Sequence, residues 1–309
     1  MTATDVVDIV EVGPRDGYQG IKQFIPTFTK IALLKRLIAA GLKRIEIGSF
    51  VSAIALPQLA DTPEILAFCH DVPGIVPQVL VPNEKYGRLA IDSGAGFLAF
   101  VLSVSESHNR SNVKRSPLES IGEYRRLLAA MPERIALRLN VATAFDCPFE
   151  GRVAETNTIG LLDLLVPMRP QVELCLCDTT GRASPDQVGE LFAVCMTRYP
   201  KISRWAFHAH DTYGMGLANI HSAWREGVRV FDASFAGLGG CPFAPGATGN
   251  VATEDVAWMF RRMGISTGID LDQLIPAACD GAAIPGATPG GRVRNALTAF
   301  GIAGCGSRK

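Results

Sequence analysis

Residues 172–209 read VELCLCDTTGRASPDQVGELFAVCMTRYPKISRWAFHA and contain one complete strand–helix–strand unit. Two short apolar runs, 172–177 and 203–209, enclose a segment whose apolar residues have helical spacing. Ser184-Pro185 begins that segment, because serine is a favoured N-cap and proline fits the first helical position. The stretch therefore predicts two strands joined by a helix, the unit from which parallel sheets are built.

The same alternation extends over most of the 309 residues. Eight such units predict an α/β fold that closes into a (β/α)8 TIM barrel. We expect the barrel and its appended helices, the first of them near 253–263, to occupy 1–281, followed by a Gly/Pro/Ala-rich and partly mobile tail at 282–309. Thr62-Pro63 marks a second helix start of the kind seen at Ser184-Pro185. The other six predicted strands are 6–12, 42–48, 75–81, 97–102, 135–141 and 228–234.

An open, doubly wound sheet is the alternative architecture for alternating strands and helices. Such a sheet usually carries a G-x-G-x-x-G phosphate loop directly after its first strand. This chain has Gly13-Pro-Arg-Asp-Gly17 there instead. The closed barrel is therefore the favoured prediction.

The composition limits the classes of partner. Thirty Lys and Arg residues balance thirty Asp and Glu residues, and no five like charges are consecutive. This balance argues against a nucleic-acid partner and against attachment to a membrane surface. The eight cysteines form no C-x-x-C pair, and the first residues lack the basic segment of a secretory signal, so we expect reduced thiols and a cytoplasmic location. A small-molecule substrate is the favoured partner.

Polar residues follow the predicted strands at the end where a barrel concentrates its chemistry. Loop ends are polar in any protein, so each single residue could also be structural. The candidates are Arg15, Asp16, Glu46, Asn140, Asp178, His208, His210 and the loop 237–250.

His208-Ala-His210 is the most specific local signal. Residues two apart on a strand point to the same face, so the two imidazoles are expected side by side as metal ligands. A lone histidine would more often be a hydrogen-bonded core residue. Asp16 and Asn250 can add oxygen ligands, and the mixed set suits Mg²⁺ or Mn²⁺, while Zn²⁺, Co²⁺ or Fe²⁺ would also fit.

Cys241 lies in a loop with five glycines between positions 237 and 249. Free cysteines are usually small buried hydrophobic residues, and Cys241 could be one of them. The glycine density instead favours a mobile lid, in which the thiol transfers a proton when the loop closes over the substrate.

Five segments of the chain share a pattern with a known family. They are Val12-Gly-Pro-Arg-Asp-Gly17 with Gln19, Ile45-Glu46 with Ser49-Phe-Val-Ser52, Cys147-Pro-Phe-Glu-Gly151, His208-Ala-His-Asp-Thr-Tyr-Gly214, and Ala236-Gly-Leu-Gly-Gly-Cys-Pro-Phe243 with Gly249-Asn250. They resemble 3-hydroxy-3-methylglutaryl-CoA lyase, of the DRE-TIM metallolyase superfamily, over residues 8 to about 270. The cysteine loop is the specific part, because the condensing synthases of that superfamily lack it.

The resemblance implies a role for each matching residue. Asp16, His208, His210 and Asn250 would hold the divalent cation, while Arg15 would stabilise an enolate, Cys241 would transfer a proton, and Glu46 and Asp178 would complete the polar cluster. Each of two residues could instead have a purely structural role: Arg15 could only pair with Glu46, and Asp178 could only cap the following turn. The residues expected to contact the acyl-CoA substrate are Gln19, Lys22, Asn112 and Asn140.

The resemblance further implies cleavage of a 3-hydroxy-3-methylglutaryl-CoA-like thioester to acetyl-CoA and a keto acid. We also expect a homo-oligomer, either a dimer or a tetramer. Tyr18 and Asn140 depart from the family pattern, so the substrate could instead be a citramalyl-CoA or a longer-branched homologue. Two other classes stay open: a metal-dependent hydrolase of the amidohydrolase type, and a non-catalytic metal-binding paralogue.

Overall fold

The structure is a computed structural model that describes residues 6–239 and 248–299. The strands of the described residues are Asp8–Glu11 (β1), Arg44–Ser49 (β2), Val76–Val81 (β3), Phe97–Ser103 (β4), Ala136–Ala142 (β5), Asp146–Cys147 (β6), Gly151–Arg152 (β7), Glu173–Asp178 (β8), Trp205–Ala209 (β9) and Val230–Ala233 (β10). Eight of them form one closed parallel barrel in the order β1-β10-β9-β8-β5-β4-β3-β2. The predicted TIM barrel and its eight strands are confirmed.

Helices connect the barrel strands and follow the last one. Those of the described residues are Thr27–Ala39 (α1), Thr62–His70 (α2), Glu84–Asp92 (α3), Glu106–Val113 (α4), Pro117–Ala130 (α5), Glu155–Leu165 (α6), Pro185–Arg198 (α7), Gly216–Arg225 (α8), Thr253–Arg262 (α9), Leu271–Ala282 (α10) and Arg292–Ala299 (α11). The helix expected near 253–263 is therefore present as α9. A second appended helix is present as α10, the short hairpin of β6 and β7 was not predicted, and α11 lies inside the segment expected to be a tail.

Of the two helix N-caps predicted from the sequence, one is present and the other is not. Ser184 caps α7, because its hydroxyl accepts a hydrogen bond from the backbone N–H of Gln187 at 3.3 Å. Thr62 is already inside α2, and its hydroxyl donates to the carbonyl of Leu59 at 2.7 Å. The prediction of an N-cap at Thr62 is therefore wrong, and Asp61 occupies the capping position without a side-chain cap.

Two different environments lie on the two faces of the barrel strands. The outward faces pack against the helices and form the main hydrophobic core. The inside of the barrel contains a separate, small apolar cluster of Val10, Val12, Cys175, Cys177, Ala206 and Val230. Buried ion pairs complete the interior: Arg44 Nη1 donates to Glu173 Oε2 at 2.8 Å, and Arg138 Nη2 donates to Asp232 Oδ1 at 2.7 Å. Pairing offsets the desolvation cost of several kcal/mol that each buried ion carries.

Glu11 ties the end of β1 to the end of β10. Its carboxylate accepts hydrogen bonds from the backbone N–H of Gly13 at 2.7 Å, from that of Phe235 at 3.0 Å and from the Thr253 hydroxyl at 2.7 Å. Burial nevertheless raises the pKa of Glu11 to about 8, against these hydrogen bonds. The contacts fix the start of the loop after β1 relative to the loop after β10.

Two further expectations concern membrane attachment and the state of the cysteine thiols. Within 6–239 and 248–299, no helix is both long enough and apolar enough to cross a bilayer. Among the described residues, five cysteines are free and buried, namely Cys69, Cys147, Cys175, Cys177 and Cys195. Cys279 is disulfide-bonded, so the expectation of reduced thiols is wrong at that position.

We predict that Gly281→Ala destabilises the protein by about 1–3 kcal/mol, the usual cost of overpacking a core. A Cβ atom at Gly281 in α10 would lie 2.3 Å from the ring of the fully buried Phe235. Gly160→Ala in α6 is the matched control, because no atom lies within 4 Å of its added Cβ. Helix propensity should make that variant as stable as the wild type or up to about 1 kcal/mol more stable. Urea unfolding measures both, and equal stability of Gly281→Ala and wild type would contradict the packing.

Candidate active site

Asp16, His208 and His210 form a cluster at the carboxyl end of the barrel. Each offers one ligand atom, and these atoms lie within 4.8 Å of one another. The two imidazole rings are 5.1 Å apart between centroids, and each histidine is 8% exposed. The side-by-side arrangement predicted from the His-Ala-His spacing is therefore present, and the cluster could hold a metal ion.

Local structure brings Asp16 to the two histidines. Residues Gly13–Gly17 form a single π-helical turn directly after β1. The carbonyl of Val12 accepts the backbone N–H of Asp16 at 2.7 Å, so the turn stays close to the strand end. His208 lies in β9, and His210 directly follows that strand. In the barrel, β9 is next to β10, and β10 is next to β1, the strand that precedes Asp16. Asp16 is consequently held over the same rim as the histidines.

Asn250 completes the cluster from the loop after β10. Its side-chain Nδ2 donates to Asp16 Oδ2 at 2.7 Å and to the carbonyl of Leu238 at 3.0 Å. Its Oδ1 atom is buried and has no hydrogen-bond partner. Only glycine fits beside it at position 239, where φ is +113° and a Cβ would lie 2.4 Å from Asn250 Nδ2.

The protonation states of Asp16 and His210 suit a cation. Burial alone would raise the pKa of Asp16, but Arg15 and the two histidines outweigh it and lower the pKa to about 2. Burial and the neighbouring His208 lower the pKa of His210 to about 3, so this imidazole is neutral. The Nδ1 atom of His210 is buried without a hydrogen-bond partner, as is Asn250 Oδ1. An anionic carboxylate, a neutral imidazole and an unpartnered amide oxygen fit a divalent cation.

Arg15 lies beside the cluster and is 8% exposed. Its guanidinium donates to Glu46 and to Asp16, and Gln78 Nε2 donates to the second oxygen of Glu46 at 2.6 Å. Burial would lower the pKa of Arg15, but Glu46 and Asp16 raise it above its usual range. The pairing of Arg15 with Glu46 that a structural role would require is therefore present. The same pairing holds a permanent positive charge in the cavity wall.

A cavity of about 460 Å³ opens at this cluster. Asn140 is 6% exposed there, and its Oδ1 atom is buried without a hydrogen-bond partner. The side chains that line the cavity are those of Arg15, Asp16, Gln19, Leu80, Val101, His108, Ser111, Asn112, Asn140, Ala142, Cys177, Thr179, His208 and His210. Gln19, Asn112 and Asn140 are thus brought to the cavity, whereas a larger cavity at the opposite face of the barrel contains none of the cluster residues.

Other candidate residues lie elsewhere. Asp178 is fully buried and does not line the cavity; its Oδ2 accepts the backbone N–H of Ala183 at 3.3 Å, which is the turn-capping contact considered above. Burial raises the pKa of Asp178 to about 6. Lys22 is exposed and is absent from the cavity wall. Cys241 lies outside the described residues. The catalytic and binding roles of these three residues stay predictions.

The turn before the cysteine loop is held from two sides. Ala236 has φ +58°, a left-handed conformation that is rare for residues other than glycine. Its N–H donates to Glu254 Oε2 at 3.0 Å, and its carbonyl accepts the N–H of Gly290 at 2.7 Å. Strained backbone of this kind persists where its surroundings fix it, and it is concentrated at functional sites.

Several residues at the site were not predicted from the sequence. Cys177 and Thr179 line the cavity, and Asp232 contacts His208 Nδ1 through its Oδ2 at 3.0 Å. Burial alone would raise the pKa of Asp232, but Arg138 and His208 outweigh it and lower the pKa. A signal was available, because an acidic residue interrupts the apolar run 228–234.

The fold and this site place the protein among the barrel lyases that act on CoA thioesters, as comparison with known proteins shows. Residues 6–279 match the family model described as HMGL-like, and the chain belongs to that family.

Similar proteins differ in the acyl group that their names give. The chain is 39% identical to a 3-hydroxy-3-isohexenylglutaryl-CoA/hydroxy-methylglutaryl-CoA lyase of Pseudomonas aeruginosa, over 95% of this chain and 97% of that protein. It is 38% identical to an (R)-citramalyl-CoA lyase of Chloroflexus aurantiacus, over 89% of each. A solved HMG-CoA lyase of Acinetobacter baumannii, in complex with coenzyme A and 3-methylmalate, matches with 37% identity and a TM-score of 0.89, covering 96% of this chain and 97% of that one. The protein is therefore a lyase.

We predict that His210→Ala weakens binding of Mn²⁺ by more than the about 10- to 100-fold typical of losing an outer-shell partner. The variant removes one of the three clustered ligand atoms. Isothermal titration with Mn²⁺ measures the affinity. His221→Ala is the control, because His221 is exposed on α8 and its ring packs beside Trp224. Equal affinity of His210→Ala and wild type would remove His210 from the ligand set.

Proposed function

We propose that this protein is a divalent-cation-dependent lyase that cleaves a 3-hydroxy-3-methylglutaryl-CoA-like thioester into acetyl-CoA and a keto acid. With the methylglutaryl substrate, the keto acid is acetoacetate. The observation that supports the proposal most is the cluster of Asp16, His208 and His210 beside Arg15 in one cavity. Mg²⁺ or Mn²⁺ is the proposed cation, and Zn²⁺ or Co²⁺ would also fit these donors.

Cleavage of the carbon–carbon bond requires a tertiary alcohol to lose its proton and an enolate to be held until it is protonated. Asp16, His208, His210 and Asn250 would hold the cation, which would supply Lewis acidity and so lower the pKa of the alcohol. Arg15 donates hydrogen bonds to the developing enolate oxygen. Its orientation is fixed beforehand by Glu46, and such preorganised charge is the usual source of large rate enhancements.

Cys241 is proposed to donate the proton that the enolate carbon takes up after the carbon–carbon bond breaks, and the proton of the alcohol would pass to a water molecule beside the histidines. The place of Cys241 in the glycine-rich loop after Ala236 motivates the assignment. A positioned general acid typically contributes about 10²- to 10⁴-fold to the rate. Asp178 does not line the cavity, so its proposed part in the polar cluster rests on the resemblance alone.

Coenzyme A is proposed to enter beside α4. Asn112 and Gln19 line the cavity mouth, and Gln19 Nε2 also donates to Asp16 Oδ1 at 2.8 Å. Lys22 is exposed and could contact a phosphate of the coenzyme. A homo-oligomer, either a dimer or a tetramer, and a cytoplasmic location are also proposed, and both rest on the sequence.

The acyl group is the open part of the proposal. Tyr18 is one of the two residues that depart from the family pattern. It is 1% exposed and packs against Phe235 at 6.1 Å between ring centroids, and it does not line the cavity. Asn140 does line it and has an unpartnered amide oxygen. An amide oxygen accepts hydrogen bonds, so this group favours an acyl substituent that presents a donor at that place, which a differently substituted homologue of the methylglutaryl compound could do.

Two alternatives from other classes are disfavoured. Amidohydrolase-type enzymes carry their His-x-His pair on the first strand, whereas His208 lies on β9, the seventh strand of this barrel in chain order. A non-catalytic paralogue is disfavoured because five groups that the reaction needs, Arg15, Asp16, His208, His210 and Cys241, are all present in the sequence.

We predict release of acetyl-CoA from at least one thioester in a panel of 3-hydroxy-3-methylglutaryl-CoA, citramalyl-CoA and longer-branched homologues. A coupled assay of purified protein measures kcat/KM for each. Activity should disappear with a chelator and return with Mg²⁺ or Mn²⁺. No acetyl-CoA from any substrate would contradict the proposed function, and cation-independent release would contradict the mechanism.

The same panel tests Asn140. We expect a substituted homologue to be preferred over the methylglutaryl compound, and Asn140→Tyr to shift that preference towards the methylglutaryl compound by about 10- to 200-fold, the usual reach of a pocket contact. Asn157→Tyr, on the exposed side of α6, should leave the profile unchanged. A wild-type preference for the methylglutaryl compound over every homologue would overturn this assignment.

A further inference from the structure

A chain of buried polar contacts runs from His208 down into the barrel. His208 Nδ1 and Asp232 Oδ2 are 3.0 Å apart, and Asp232 Oδ1 accepts Arg138 Nη2 at 2.7 Å. Arg138 Nε lies 3.6 Å from Glu173, whose carboxylate also accepts Arg44 Nη1 at 2.8 Å. Each of these side chains is buried.

The strand register explains why Asp232 can reach His208. The two residues are direct partners across the parallel pair β9 and β10. Their side chains therefore point to the same inner face of the barrel at the same height. Asp232 is 4% exposed and is not a cavity-lining residue, so the side of His208 that it contacts faces away from the cavity.

The contact decides which ring nitrogen of His208 is left for a ligand. A carboxylate accepts hydrogen bonds only, so the nitrogen that faces Asp232 must carry the proton. Nδ1 is that nitrogen, and the lone pair of the neutral ring is then on Nε2. His210 has no comparable partner, since its Nδ1 is buried and unpaired.

Arg138 keeps the Asp232 carboxylate in place. Arg138 is fully buried; its Nη2 donates to Asp232 Oδ1 at 2.7 Å, and its Nε is paired with Glu173 at 3.6 Å. Its Nε and Nη1 atoms have no hydrogen-bond partner. A buried guanidinium is costly to desolvate even when it is paired, which points to a role for the charge at this place.

We propose that Asp232, held by Arg138, is a positioning residue for the lyase reaction, because it fixes His208 with the proton on Nδ1 and Nε2 directed at Asp16 and His210. This inference rests on the proposed cation site. Outer-shell carboxylates at ligating histidines act in this way, and their loss typically costs about 10- to 100-fold in metal affinity or activity.

Asp232→Asn is the decisive variant, since it keeps the size of the side chain. An amide can present Oδ1 to Arg138 and its N–H to His208, which selects the wrong tautomer, or present Oδ1 to His208 and its N–H to Arg138, which opposes two donors. We expect the affinity for Mn²⁺, measured by isothermal titration, to fall about 10- to 100-fold. The melting temperature, measured in parallel without metal, separates this effect from loss of folding.

Glu173→Gln is the matched control. It also removes a buried carboxylate charge beside Arg138, but its side chain does not contact a histidine. Its Mn²⁺ affinity should stay within about threefold of the wild type, a change much smaller than the loss expected for an outer-shell partner. An equal loss in both variants would show that Asp232 matters only for the charge of the interior.

The tautomer of His208 can also be read directly in the wild-type protein. Long-range ¹H–¹⁵N spectra of histidine-labelled protein at high pH, and with Zn²⁺ as a diamagnetic probe, should show His208 protonated at Nδ1. The His208→Ala variant assigns the signal. Protonation at Nε2, or unchanged Mn²⁺ affinity in Asp232→Asn, would overturn the inference. Failure of the wild type to bind any divalent cation would instead overturn the proposed function.

Discussion

Hydrogen bonding of β1 to both β2 and β10 is the constraint on which the rest of the molecule depends. It closes the sheet, so residues that follow the first and the last barrel strands become neighbours. Asp16 and Asn250 are 234 positions apart in the chain, and their side chains are joined by a hydrogen bond of 2.7 Å. In an open sheet with those strands at opposite edges, this contact could not form. Closure therefore creates the site as well as the fold.

The barrel interior beneath the site is unusual because it is charged. A barrel of this type is normally filled by layers of bulky branched residues. Here Arg44, Glu173, Arg138 and Asp232 occupy the centre, and small side chains such as Val10 and Cys175 fill the remaining space. Replacing buried ion pairs by apolar side chains often leaves stability unchanged or improved. The charges are thus better explained by the groups that they orient, with Arg15 held through Glu46 and Gln78 on one side and His208 held through Asp232 on the other.

The features that the sequence predicted correctly are local ones. Each strand is a short apolar run, and the His208 and His210 pair follows from the alternation of side chains along one strand. Asp232 and Arg138 were missed because their partners are set by register between distant strands, which no local pattern contains. Tyr18, a departure from the family pattern, motivates the expectation of a different acyl group, but the π-helical turn ends there and the ring packs against Phe235. Asp178 follows its strand as expected, yet nearby backbone N–H groups compete for its carboxylate.

The central claim is that one divalent cation is held by both histidines at the carboxyl end of β9. Electron spin echo envelope modulation of Mn²⁺-loaded protein tests it directly, because the method detects ¹⁴N nuclei of ligating imidazoles. We expect modulation from two imidazole nitrogens in the wild type and from one in either His208→Ala or His210→Ala. Binding of one Mn²⁺ per chain with no nitrogen modulation in the wild type would contradict the claim.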